Sequence, residues 1–189
     1  MHSLITMMLL IGLFIFAVPI LYHPKEHPGT IHRTLYLDRY MSEDSMDYVI
    51  EAATEWNVAT KGLVTFDVKR LPAQGINPLD AILILDVTPD YPEIMILDNG
   101  NDYSTLGFFN GNRGIAYIGL VENRIPSDDM EAVVLHELGH SLGLEHNEGI
   151  DGIGTLMYPN INYGADHITN TDLDNFCKIY GCDPKRLHD

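Results

Sequence analysis

Residues Val133–Asn147 read Val-Val-Leu-His-Glu-Leu-Gly-His-Ser-Leu-Gly-Leu-Glu-His-Asn, and the spacing of the three histidines leaves few ways to fold the chain around them. His136 and His140 stand four residues apart. On an α-helix that interval is about 6 Å of rise and roughly one turn, so both imidazoles project from one face and can clamp a single metal ion. A continuous helix would carry His146 about 9 Å beyond His140, far outside a zinc–nitrogen bond of about 2.0–2.1 Å. A helix whose histidines are to meet the third ring at one ion must therefore end between them. Gly143 can end it, because glycine accepts the left-handed conformation in which the chain turns back. Glu137 lies about 100° around the helix from His136, which sets its carboxylate beside a fourth coordination position as a base rather than a ligand.

Met130, Val133, Val134, Leu138 and Leu142 recur at helical spacing and form the expected buried side of this helix. Ser127 or Asp128 is its expected cap, with acids suited to the positive end of the helix dipole. Two other readings stand beside a catalytic metal: core histidines that share this spacing by coincidence, and a zinc that binds without catalysing. A structural zinc usually takes four protein ligands and has no general base next to it. This stretch offers three histidines and Glu137.

Further on, Thr155-Leu156-Met157-Tyr158-Pro159 supplies a methionine turn. A helical histidine pair, a glycine, a third histidine and a later Met-turn mark the metzincins, and the Leu-Met-Tyr-Pro wording most resembles their matrixin branch. The resemblance covers most of the chain after about Ile31. It implies an α+β, zincin-like catalytic domain with a mixed twisted sheet, an active-site helix and a C-terminal helix, here preceded by an N-terminal hydrophobic segment. It also implies a zinc-dependent endopeptidase acting on proteins or peptides, with His136, His140 and His146 holding one catalytic Zn2+, Glu137 as general base and acid, and Met157 as an apolar floor below the histidines. Pro159, Asn160 and Ile161 would wall the pocket for the residue after the scissile bond. Leu106–Phe109, including Phe108, would be the edge strand above the cleft, on which an extended peptide lies as an added strand. A non-catalytic, zinc-stabilised surface module that uses the same cleft for binding is the alternative.

This chain departs from the family pattern at several positions. Pro159 stands where astacin-like and serralysin-like members carry a tyrosine ligand, so Tyr158 is not counted as one. Asn147 and Ile161 replace the Ser and Tyr common in matrixins. No histidine falls between Arg33 and Leu135, so the second, structural zinc of matrixins is expected to be missing. No cysteine precedes the catalytic helix to guard the zinc in a zymogen, and no propeptide-sized segment is visible.

Eleven basic against 27 acidic side chains give a formal charge of −16, which repels phosphate and argues against nucleic-acid binding. The sign favours solubility and is compatible with cationic substrates or bound Ca2+. Asp98-Asn99-Gly100-Asn101-Asp102 alternates oxygen side chains around a glycine and reads either as a calcium loop or as a solvated acidic turn. Cys177 and Cys182 can pair with each other in an exported protein or stay as two thiols. The uncharged, largely apolar run Leu4–Leu21 reads as a signal peptide or a membrane anchor over residues 1–21, with a buried core helix as the third reading, and the expected location is secreted or membrane-anchored with the catalytic domain outside the cytosol. Residues 22–30, with two prolines and a glycine, read as a linker. Residues 31–189 form the catalytic domain, expected as a monomer.

Within that domain, Ile31–Leu37 reads as a first strand and Ser42–Asp44 as the cap region of a helix to about Asn57, with Met46, Val49, Ile50, Ala53 and Trp56 facing inward. Leu63–Val68 alternates as a half-buried strand, and the continuous apolar run Ala81–Val87 suits a central strand. Leu106–Phe109 and Ile115–Val121 flank an Asn/Gly-rich turn. Thr169 or Thr171 caps a final helix to Tyr180 with Leu173, Phe176, Cys177 and Tyr180 inward, ended by Gly181.

Overall fold

The computed structural model describes residues 29–72, 76, 80–88, 105–111 and 115–188. Its strands are β1 (Ile31–Leu37), β2 (Val64–Arg70), β3 (Ala81–Asp86), β4 (Gly107–Asn110) and β5 (Ala116–Leu120). Among the described residues three α-helices accompany them: α1 (Glu43–Ala59), α2 (Met130–Ser141) and α3 (Asn170–Tyr180). The strands form one mixed sheet in the order β2-β1-β3-β5-β4. β1, β2, β3 and β5 are parallel, and β4 runs antiparallel to β5 with Phe108 opposite Gly119. This is the mixed α+β architecture expected, and it leaves β4 at the edge of the described sheet.

Parallel neighbours need a crossover, and α1 supplies it between β1 and β2. Ser42 caps α1 by accepting from the Ser45 amide at 3.0 Å. The buried face is Ser45, Val49, Ala52, Ala53 and Trp56, which corrects the expected face: Ile50 is 41% exposed and Met46 only half-buried. Trp56 sets this rotation, because its indole N–H donates to the Leu135 carbonyl of α2 at 3.1 Å inside the core and brings the small Ala52 to the packing surface. Leu35 and Leu37 of β1 and Ile84 of β3 are fully buried beneath it.

α2 starts differently from expectation. Neither Ser127 nor Asp128 caps it; both belong to a 3-10 turn, Ser127–Asp129, and the cap position falls on Asp129 with no side-chain capping bond. Pro126 opens that turn and its carbonyl accepts from the Asp129 amide at 3.0 Å, so backbone bonding takes over part of the work of a side-chain cap. The inward residues Met130, Val133, Val134, Leu138 and Leu142 are all buried. Thr169 caps α3 in a reciprocal box with Asp172, Gly181 ends it at φ 70°, and Cys177 and Cys182 are joined in a disulfide. Residues 1–28 and the calcium candidate at 98–102 lie outside the described residues. No helix among the described residues is long and apolar enough to cross a membrane.

Candidate metal centre and cleft

α2 ends where the histidine spacing requires. Gly143 adopts φ 82°, its amide bonds to the His140 carbonyl at 2.9 Å, and the Leu144 amide reaches back to Gly139 at 3.1 Å. This closure satisfies the last carbonyls of the helix and reverses the chain. His146 thereby returns to the helix face, with its Nε2 3.2 Å from that of His136 and 3.1 Å from that of His140.

The other ring nitrogens decide what this convergence means. His136 Nδ1 lies 2.8 Å from the Leu156 carbonyl, and His140 Nδ1 lies 2.8 Å from the Leu144 carbonyl. A carbonyl oxygen can only accept, so both Nδ1 atoms carry the proton and both Nε2 atoms present lone pairs. One N–H on His146 could satisfy at most one of them. A cation would satisfy all three, and tetrahedral zinc with bonds of about 2.0–2.1 Å places its ligand atoms about 3.3 Å apart, close to the separations seen. Burial holds all three imidazoles below their ordinary pKa, His140 down to about 3, with mutual repulsion adding to it at His136 and His140. Neutral imidazole is the form that ligates.

Glu137 is 5% exposed, its Oε2 has no partner, and burial pushes its carboxyl up to about 8. The folded chain therefore retains a proton that the unfolded chain releases near 4.5, so this residue alone makes stability fall as pH rises from 4.5 to 8. The lowered imidazoles act in the opposite direction, but only below their unfolded value of 6.5. Metal-free protein is expected to lose on the order of 2 kcal/mol of stability between pH 6.5 and 8. Urea midpoints across that range check this; a flat profile in metal-free protein contradicts it.

Met157 is fully buried beneath the histidines' helix. A Cβ on Gly139 would come within 2.5 Å of its sulfur, so glycine at the centre of the motif is what lets the Met-turn approach. The turn itself hangs from a residue that sequence reasoning missed. Asp172, with no exposed surface, accepts from the Leu156 amide at 3.0 Å and the Met157 amide at 3.2 Å while also bonding the Thr169 amide and hydroxyl at 2.9 and 2.6 Å. The Thr169-x-x-Asp172 capping spacing was the available signal, though it points only to the start of α3.

A cleft of about 860 Å³ crosses the histidines between β4 and the segment after the Met-turn. Gly107, Phe109, Tyr158, Pro159, Asn160 and Ile161 line it together with Glu137. Phe108 borders it, but its ring is packed away against Gly119 and edge-on to Tyr117 at 5.7 Å, with Val87 and Val121 in the same small apolar cluster. Tyr158 stands edge-on to Tyr163, 6.4 Å away.

A family model described as Matrixin matches residues 39–181. The chain belongs to the matrixin family. This matrixin is 50% identical over 50 residues to interstitial collagenase of Sus scrofa, a match covering 26% of the chain and 10% of the collagenase. It is 40% identical over 58 residues to Metalloendoproteinase 2-MMP of Arabidopsis thaliana, covering 30% and 15% respectively. The matches thus span a small part of each relative. Among solved structures, archaemetzincin of Methanopyrus kandleri shares the fold at a TM-score of 0.50 and 13% identity, covering 82% of this matrixin and 99% of the archaeal chain.

Proposed function

We propose that this matrixin is a zinc-dependent endopeptidase whose catalytic domain spans residues 31–189, with His136, His140 and His146 as zinc ligands. The observation that carries this reading is the meeting of three neutral imidazole nitrogens with a buried, unpartnered carboxyl oxygen on one wall of an open cleft. Bound zinc would polarise a water and the scissile carbonyl and lower the water's pKa toward about 7. Glu137 takes up the proton released by that water and delivers it to the leaving amine. In the metal-free chain burial keeps the carboxyl protonated near neutral pH; a dication bound at the histidines would favour the carboxylate, which is the form that can accept the water's proton.

The peptide lies extended beside the edge strand β4, and the side chain after the scissile bond enters between α2 and Pro159–Ile161. Met157 supports the ligands from below without touching substrate. A zinc site built only to hold structure would have no use for Glu137. The Cys177–Cys182 disulfide supports a location outside the cytosol.

Incubating the zinc-loaded full chain with an unbiased peptide library and reading products by mass spectrometry tests the proposal. Internal cleavages that a chelator abolishes and added zinc restores are expected. Intact peptides after exposure to folded, zinc-loaded protein would overturn it and leave the binding-module alternative.

A further inference from the structure

The third histidine is held differently from the other two. His136 and His140 are built on α2, and each ring is fixed by a carbonyl on Nδ1. His146 is exposed, lies outside any helix or strand, and has no Nδ1 hydrogen bond from the described residues. Its position must come from the backbone it sits on.

That backbone is held through the next residue. The Asn147 amide donates to the Met157 carbonyl at 2.8 Å. Its side chain belongs to a run of hydrogen bonds with one direction: Lys178 Nζ to Asn175 Oδ1 at 2.8 Å, Asn175 Nδ2 to Asn147 Oδ1 at 3.1 Å, Asn147 Nδ2 to Thr155 Oγ1 at 3.3 Å, and Thr155 Oγ1 to the Gly152 carbonyl at 2.7 Å. An ammonium can only donate and a carbonyl can only accept, so the two ends fix the orientation of both amides between them. Thr155 is buried. A Cβ on Gly152 would fall 1.9 Å from the Asn147 carbonyl oxygen, so the loop closes on Asn147 with no room to spare.

We infer that Asn147 is the positioning residue for His146, and that Asn175 couples it to α3, so that the C-terminal helix helps set the third metal ligand. Asn147 touches neither metal nor substrate. It acts by holding the ring of its neighbour within reach of the nitrogens on α2. The inference rests on the zinc reading above but concerns residues that carry no chemistry themselves.

The test is zinc affinity of the metal-free full chain, measured by competition with a chromophoric chelator, together with urea stability of the same samples. Asn147→Ala is expected to weaken zinc binding about tenfold, the scale of outer-shell losses at metal sites, and Asn175→Ala about threefold. The double variant should bind within about a factor of two of Asn147→Ala, because the two residues act as one unit. Asn147→Asp keeps the acceptor for Asn175 and loses the donor to Thr155, so it shows the loss if the alanine variant fails to fold. Zinc affinity at the wild-type level in folded Asn147→Asp and Asn175→Ala, whatever their urea stability, would overturn the inference. Wild-type protein that binds no zinc would instead overturn the function proposed above.

Discussion

Glu137→Gln is expected to lower kcat/KM for peptide cleavage by about 10²–10⁴-fold, the usual contribution of a positioned general acid–base, while zinc content stays at the wild-type level. Glutamine keeps the shape of the side chain in a site where it is almost fully buried, and it loses the ability to take a proton. The substitution has a second expected effect of opposite sign. It removes the buried ionisable group, so the loss of metal-free stability between pH 6.5 and 8 should disappear. Steady-state kinetics with metal analysis checks the first effect and urea titrations the second. Activity above about a tenth of wild type in the zinc-loaded variant would assign the base to another residue.

Asp172→Ala should produce the largest loss of stability in the domain outside its apolar core. The carboxylate accepts four hydrogen bonds with no exposure to water. Removing it strands the amides of Leu156 and Met157 inside the protein, at about 1–3 kcal/mol for each unsatisfied donor. A destabilisation on the order of 3 kcal/mol or more follows, read as a shift of the urea midpoint. Asp172→Asn should fall between the two, since its amide keeps one accepting oxygen. Because the Leu156 carbonyl also orients His136, zinc affinity should drop in both variants. Unchanged stability in Asp172→Ala would show that water replaces the lost acceptor.

Much of the site was legible because its geometry is local. The four-residue spacing of His136 and His140 and the glycine at 143 are consequences of helix pitch and of backbone sterics, and both operate over a single turn. β1 is found at its expected bounds and the cap of α1 at Ser42 for the same reason. The errors arose where a local preference had to compete with packing. Ile50 is the more apolar choice for the inner face of α1, yet a hydrogen bond from Trp56 to the neighbouring helix turns it outward. Ser127 is a good cap by type, yet a turn begun at Pro126 takes its place. Phe108 is no such error: it lines the cleft from β4 while its ring is buried where Gly119 makes room.

The sequence by itself determined which ring nitrogens can meet a metal ion, where the helix that carries two of them has to stop, and which carboxyl shares their cleft, since each follows from covalent spacing within a few turns of chain. Only the tertiary structure decided what holds those atoms still. Asp172 grips the Met-turn across 15 and 16 residues of sequence, and Asn175 meets Asn147 across 28. Contacts at that separation depend on how helices and loops pack after they form, and no periodicity in the chain records them.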